Sequence, residues 1–114
     1  MKIKGKVVIN KKKGTSLGFP TANLKVKKGL NLENGVYLGK VDLNDKEYNV
    51  LVIIGIREEV EVWFNNFRGN LYDLILEVEV GEKINEIEKL DNEQKLIKKI
   101  ESDIKKAKSI WQIN

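Results

Sequence analysis

The 114-residue chain contains no cysteine and no histidine. The lack of cysteine excludes disulfides and thiolate metal sites, and the lack of histidine removes imidazole bases and the usual zinc ligands. Any acid–base chemistry therefore falls to carboxylates, lysine, tyrosine or bound water. A chain of this length is expected to form a single domain, residues 1–114, around one hydrophobic core.

Long hydrophobic runs are also missing. The longest, Val50 to Ile54, is far shorter than the roughly 20 residues that a membrane-spanning helix needs. The N-terminus lacks the apolar centre of a signal peptide. We therefore expect a soluble cytoplasmic protein without a membrane partner.

Acidic residues are absent from the first 30 positions, which carry nine lysines. The rest of the chain carries the other 12 of the 21 basic residues and all 17 acidic residues. A basic N-terminal third favours an anionic partner, either nucleotide phosphates or a nucleic-acid backbone. A solvated lysine-rich surface explains the same charge without any partner, and both interpretations stay open.

Short β-type segments come first in the chain and one helical segment comes last. Strands are predicted at Lys2–Ile9, Thr21–Val26, Val36–Leu43, Tyr48–Ile56, Val60–Phe64 and Leu71–Val80. A capping pattern at Asp91 and Gln94 predicts a helix with an apolar stripe at Ile97, Ile100, Ile104, Ala107 and Trp111. The predicted fold is mainly β: a six-stranded antiparallel, Greek-key-like closed barrel with one C-terminal α-helix. Closure would remove exposed strand edges.

The most informative segment is Gly14 to Leu24, which follows three lysines and contains the only proline, Pro20. Its two loop glycines allow backbone N–H groups to approach phosphates closely. Thr21 and Asn23 lie two apart on a predicted strand, so both side chains project from one face, and such oxygen donors suit a hydrated Mg²⁺ ion with its phosphates. An ordinary lysine-rich hairpin loop is the alternative, because no P-loop pattern follows.

A second candidate is Glu61, a single acid in the apolar and aromatic stretch Val60 to Phe64. A carboxylate there can act as a general base that accepts a hydroxyl proton, although a solvent-facing strand glutamate explains the same pattern.

Aromatic side chains form the third candidate group. A ligand with a flat ring requires aromatic walls, but core packing uses the same side chains, so each aromatic residue has both interpretations. The aromatic candidates are Phe19, Tyr37, Trp63, Phe64, Phe67, Tyr72 and Trp111. Trp111, on the helical stripe, is expected to dock the helix on the barrel.

The string Leu17-Gly-Phe-Pro-Thr-Ala-Asn-Leu24 resembles the signature of ATP-dependent riboflavin kinases, which also form the kinase module of bifunctional bacterial FAD synthetases. Weaker motifs follow in the order of that family: Gly35-Val36-Tyr37, Ile54-Gly55, Glu61, Leu71-Tyr72 and Asp103-Ile104-Lys-Lys-Ala107-Lys108. The resemblance covers nearly the whole chain. It implies a six-stranded barrel with a C-terminal helix, which agrees with the strand pattern.

The resemblance implies transfer of the ATP γ-phosphate to the ribityl 5′-hydroxyl of riboflavin, giving FMN. It implies Glu61 as the catalytic base and Thr21 and Asn23 as ligands of Mg²⁺, with Zn²⁺ or Mn²⁺ also compatible with oxygen donors. Nucleotide or phosphate contacts are implied for Lys13, Gly14, Leu17, Gly18, Phe19, Pro20, Phe67, Leu71 and Tyr72. Flavin contacts are implied for Trp63, Asn85 and Trp111. The expected partners are riboflavin and ATP, without nucleic acid, and a monomer is the default.

The chain departs from the family pattern in its loops. Thr15 and Asn85 stand where the family has arginines, Leu71-Tyr72-Asp73 replaces Leu-Tyr-Gly, and only five residues separate Gly55 from Glu61, without the usual Pro-Thr. Two alternatives therefore stay open. One is a flavin- or nucleotide-binding module without turnover, and the other is a small basic β-barrel that binds RNA or single-stranded DNA with a steep salt dependence.

Overall fold

A computed structural model describes residues 1–8, 22–26, 31–55, 60–65, 71, 73–87 and 93–113. Within them the elements are β1 (Lys2–Val8), β2 (Ala22–Lys25), β3 (Gly35–Leu43), β4 (Lys46–Ile54), β5 (Val60–Phe64), β6 (Ile75–Asn85) and α1 (Glu93–Ile113). The strands pair antiparallel and close into a barrel in the order β1-β2-β5-β4-β3-β6. The predicted mainly-β closed barrel with a C-terminal helix is confirmed.

Strands β3 to β6 have a Greek-key arrangement. β3, β4 and β5 are consecutive neighbours, and β6 returns to pair with β3 on its other side. The hairpin between β3 and β4 turns at Asn44 and Asp45, whose φ angles are 52° and 63°. Two successive left-handed residues make the tight turn that matches strand twist, and Asn and Asp tolerate this conformation better than other non-glycine residues.

Two hydrophobic clusters occupy opposite faces of the same strands. One fills the barrel interior, and the other lies on the outer face beneath α1. β4 contributes to both, since Val50 and Val52 face the interior while Leu51 faces the helix, and none of the three is more than 2% exposed. A strand buried on both faces has no polar face. This explains why Val50 to Ile54 is the longest apolar run.

The helix α1 lies on the outer cluster through Ile104, Ala107, Ile110 and Trp111. Three of these belong to the predicted apolar stripe, and Ala107 is completely buried. A small residue at the centre of the contact allows the helix to approach the sheet closely. The C-terminal helix therefore docks on the outside of the barrel, as its stripe predicts.

Some strand boundaries differ from the sequence prediction. β4 begins at Lys46 instead of Tyr48, and β6 spans Ile75 to Asn85 instead of Leu71 to Val80. The alternation of β6 fades at the exposed Gly81, so the pattern does not reveal that the strand continues. The continuation pairs with β3, where the register shifts between Val36 and Tyr37 and between Tyr37 and Gly39. Such irregularities bend a strand without ending it.

Gly55, directly after β4, requires glycine for two reasons. Its φ is 110°, and a Cβ added there would overlap the side chain of Asn34. We expect Gly55→Ala to lower the free energy of unfolding by about 2 kcal/mol, the usual size of such backbone strain. Gly81→Ala is the matched control, because the nearest atom to its added Cβ is 3.4 Å away. Urea unfolding measures the free energy of unfolding of both variants. Equal values for Gly55→Ala and Gly81→Ala would contradict backbone strain at position 55.

Candidate functional site

Two predicted site residues lie directly opposite each other on neighbouring strands. Asn23 of β2 pairs in register with Glu61 of β5. Directly opposed residues project to the same face, with Cβ atoms about 5 Å apart. Leu24 and Val62, the next residues along each strand, belong to the interior cluster. Asn23 and Glu61 therefore point outward from the barrel, and an amide and a carboxylate stand side by side.

Asn23 is only 3% exposed although it lies on the outer face, whereas Glu61 is half-buried. Within the described part of the chain, the buried Asn23 Oδ1 has no hydrogen-bond partner. A buried acceptor without a donor costs about 1–3 kcal/mol. Amide oxygens are accepted ligands of Mg²⁺ and Ca²⁺. The orphaned oxygen therefore fits the cation-ligand role that the sequence predicts for Asn23.

The Asn23–Glu61 pair begins a row of opposed residues that continues around the barrel. Glu61 pairs with Ile53 of β4, Ile53 with Val36 of β3, and Val36 with Asn85 of β6. Ile53 and Val36 belong to the cluster that α1 covers. The row thus has a polar pair at one end, an apolar centre beneath the helix, and a second amide at the other end.

A pair of tryptophans lies next to this row. Trp63 follows Glu61 by two residues on β5 and so shares its face. The rings of Trp63 and Trp111 are nearly parallel, with an interplanar angle of 7° and centroids 6.5 Å apart. Both residues are half-buried members of the outer cluster. We call this pair the tryptophan wall; it joins the C-terminal end of α1 to the strand that carries Glu61.

Asn85, the third residue implied in flavin contact, is held by the helix. Its Nδ2 donates to Asp103 Oδ1 at 2.7 Å, and Lys99 Nζ donates to the same oxygen at 2.7 Å. Lys106 Nζ donates to Asn85 Oδ1 at 3.2 Å and to the carbonyl of Ile84. Sequence reasoning missed this network. The only local signal for it was the i,i+4 spacing of Lys99 and Asp103, and a flavin contact for Asn85 stays a prediction.

Most of the other predicted site residues lie outside the part of the chain that the structure describes. These are Lys13, Gly14, Leu17, Gly18, Phe19, Pro20, Thr21, Phe67 and Tyr72. Leu71 is described, and it is half-buried against the interior cluster. Its nucleotide contact also stays a prediction.

Asp73 explains one departure from the family pattern. It stands where the resemblance has a glycine, and its φ is 72°. Glycine adopts this left-handed conformation freely, and Asp is among the few other residues that adopt it at small cost. The Asp73 carboxylate also lies 2.8 Å from Lys6 Nζ. Asp73 is therefore compatible with the left-handed backbone at the position where the family has glycine.

Comparison with known proteins agrees with this fold and pattern. The flavokinase family, described as riboflavin kinase, matches residues 1–111. The bifunctional riboflavin kinase/FMN adenylyltransferase of Haemophilus influenzae is 33% identical over 118 residues, which covers 96% of this chain and 38% of that protein. The chain spans less than half the length of the curated relatives it matches.

Two solved structures share the fold. The riboflavin kinase of Trypanosoma brucei has a TM-score of 0.69 and 24% identity over 97% of this chain and 76% of that one. A Streptococcus pneumoniae chain named macrolide-efflux protein has a TM-score of 0.83 and 23% identity over 94% of this chain and 38% of that one. At such identities the likeness establishes the fold alone. Among the described residues, no helix is long and apolar enough to cross a membrane. From the match over residues 1–111, the chain belongs to the riboflavin kinase family.

Proposed function

We propose that the chain is a riboflavin kinase that transfers the γ-phosphoryl group of ATP to the ribityl 5′-hydroxyl of riboflavin, producing FMN and ADP. The observation that carries the proposal is the Asn23–Glu61 pair, in which a buried amide oxygen that has no hydrogen-bond partner among the described residues stands beside a carboxylate. Phosphoryl transfer requires alignment, charge neutralisation and a proton acceptor more than it requires covalent catalysis. The family of the chain supports the same reaction.

In this proposal Asn23 and Thr21 hold the divalent cation that accompanies ATP. Mg²⁺, when bound, neutralises the charge of the phosphates. The donor set is all oxygen, which suits Mg²⁺ and also admits Mn²⁺ or Zn²⁺. Backbone N–H groups from Gly14 to Gly18 and the ammonium of Lys13 hold the phosphate oxygens. Further contacts to the nucleotide are assigned to Leu17, Phe19, Pro20, Phe67, Leu71 and Tyr72, on the family resemblance.

Glu61 is assigned the role of proton acceptor. As the ribityl oxygen forms its bond to the γ-phosphorus, the bond from that phosphorus to the ADP oxygen breaks, and the hydroxyl proton passes to the Glu61 carboxylate. The separation of about 5 Å between the Cβ atoms of Asn23 and Glu61 supports this role. A phosphate held at Asn23 and a hydroxyl held at Glu61 would then be neighbours.

The tryptophan wall is assigned to the isoalloxazine ring of riboflavin. Flat aromatic rings pack on one another with favourable offset or edge geometry. Trp63 lies two residues beyond Glu61 on one strand, a distance of about 7 Å. A ribityl chain is long enough to extend from a ring at the wall to a terminal hydroxyl at Glu61. Asn85 is connected to the tryptophan wall through α1, because it hydrogen-bonds Asp103 on the helix that carries Trp111.

The test is FMN formation by the purified chain. We expect FMN only when riboflavin, ATP and Mg²⁺ are all present, and none when a chelator removes the metal. Chromatography separates FMN from riboflavin by the added phosphate charge. Riboflavin binding without FMN would refute the kinase and leave the binding module without turnover. Absence of flavin binding, together with salt-dependent oligonucleotide binding, would favour the basic barrel.

A further inference from the structure

Asp103 is a buried acid that the proposed reaction does not use. Among the described residues it is one of two buried polar side chains, and the other is Asn23. Its Oδ1 accepts hydrogen bonds from Asn85 Nδ2 and Lys99 Nζ, each at 2.7 Å. The Lys99 side chain is only 16% exposed, so this ion pair is largely removed from water. The contacts connect the middle of α1 to the end of β6.

Lys106 makes further polar contacts between α1 and the end of β6, to Asn85 Oδ1 and to the carbonyl of Ile84. Among the described residues, the rest of the contact between α1 and the barrel is apolar. Ile104, Ala107, Ile110 and Trp111 pack on the outer cluster. Apolar burial holds a helix against a sheet but is non-directional, so it leaves the angle and register of the helix weakly determined. Hydrogen bonds have strict distance and angle requirements, and buried polar groups can select one arrangement of packed elements. In this chain the buried Asp103 contacts, beside those of the exposed Lys106, select the direction of α1.

The orientation of α1 matters most at its C-terminal end. Trp111 lies eight residues after Asp103, about 12 Å farther along the helix axis, and stacks on Trp63. A change of helix direction at Asp103 therefore becomes a lateral displacement of the Trp111 ring. That ring forms half of the tryptophan wall, which stands two residues from Glu61 on β5.

We propose that Asp103 is a positioning residue. Together with Asn85 and Lys99 it sets the direction of α1, and through the helix it sets the geometry of the tryptophan wall. The consequence for riboflavin binding rests on the proposed function. The effect of Asp103 on the geometry of the two tryptophans is independent of the proposed function.

The experiment uses the tryptophans as reporters. The chain has only two, and both belong to the wall, so near-UV circular dichroism and tryptophan fluorescence report on it without labels. We compare the wild type with Asp103→Ala, Asp103→Asn and the control Glu101→Ala, which removes an exposed acid from the same helix. Asp103→Asn removes the charge but keeps the shape and one acceptor oxygen.

We expect Asp103→Ala to change the tryptophan spectra and to raise the KM for riboflavin about tenfold, while the KM for ATP stays within about twofold. Asp103→Asn is expected to fall between Asp103→Ala and the wild type, and Glu101→Ala to match the wild type. A KM effect confined to one substrate separates positioning of the wall from general loss of structure.

Unchanged tryptophan spectra in a destabilised Asp103→Ala protein would overturn the inference, because Asp103 would then only stabilise the fold. An equal rise in the KM of both substrates would also overturn it. If Asp103→Ala does not fold, the milder Asp103→Asn decides by the same criteria. If the wild type forms no FMN, the proposed function fails, and the spectra alone still decide whether Asp103 positions the wall.

Discussion

Glu61→Gln is expected to lower the rate of FMN formation by about 10²–10⁴-fold, the usual contribution of a general base. The amide has nearly the shape of the carboxylate but cannot accept the hydroxyl proton. Glu61 points away from the interior cluster and is half-buried, so the barrel should keep its stability. Riboflavin affinity, measured by quenching of flavin fluorescence, should stay within a few fold.

The matched control is Glu79→Gln. Glu79 is also a strand glutamate on the outer face, but it is exposed and lies opposite Lys2 and Lys40. Its replacement should leave the rate of FMN formation and the affinity for riboflavin at wild-type values. If Glu61→Gln forms FMN at the wild-type rate, another group or water accepts the proton, and Glu61 is not the base.

Asn23→Leu is expected to have opposite effects on activity and stability. Removing the metal ligand should weaken binding of the Mg²⁺–ATP complex about tenfold or more and lower FMN formation accordingly. The free energy of unfolding without metal should stay the same or rise, because leucine has a similar size and removes a buried oxygen that has no partner among the described residues. Calorimetric titration with Mg²⁺–ATP and urea unfolding in chelator measure the two effects.

A second variant at the same position, which adds a negative charge, tests whether Asn23 is a cation ligand. Asn23→Asp places a carboxylate directly opposite Glu61, and like charges in opposed positions destabilise a sheet. We expect a less stable protein in chelator and a larger gain of stability on addition of Mg²⁺ than in the wild type. A destabilised Asn23→Leu protein that binds Mg²⁺–ATP normally would instead assign Asn23 a structural role.

The barrel was predictable because its determinants are local. Alternation along β1 and β6 and the apolar run of β4 each reflect which faces of a strand are buried, and a pattern of period two reveals this directly. The end of β6 was not predictable in the same way. Beyond Gly81 its residues are held by pairing with β3, which is a tertiary contact with no pattern of its own.

The candidate site was only partly predictable. The presence of Asn23 and Glu61 as candidates came from residue type and from the family motif. Their direct opposition depends on the register between β2 and β5, which lie far apart in the chain. The anchoring of Asn85 by Asp103 and Lys106 likewise joins a strand to a helix 18 to 21 residues away. No local periodicity carries such information.

The double burial of β4 has a consequence for how this barrel tolerates change. Val50 and Val52 fill the interior, while Leu51 between them supports the helix on the other side. Packed interiors transmit strain rather than absorb it. A volume change inside the barrel would therefore reach the surface that α1 covers through the shared backbone of one strand. The barrel interior and the helix-covered surface are therefore mechanically coupled through β4, and substitutions far from any ligand can alter what the outer surface accepts.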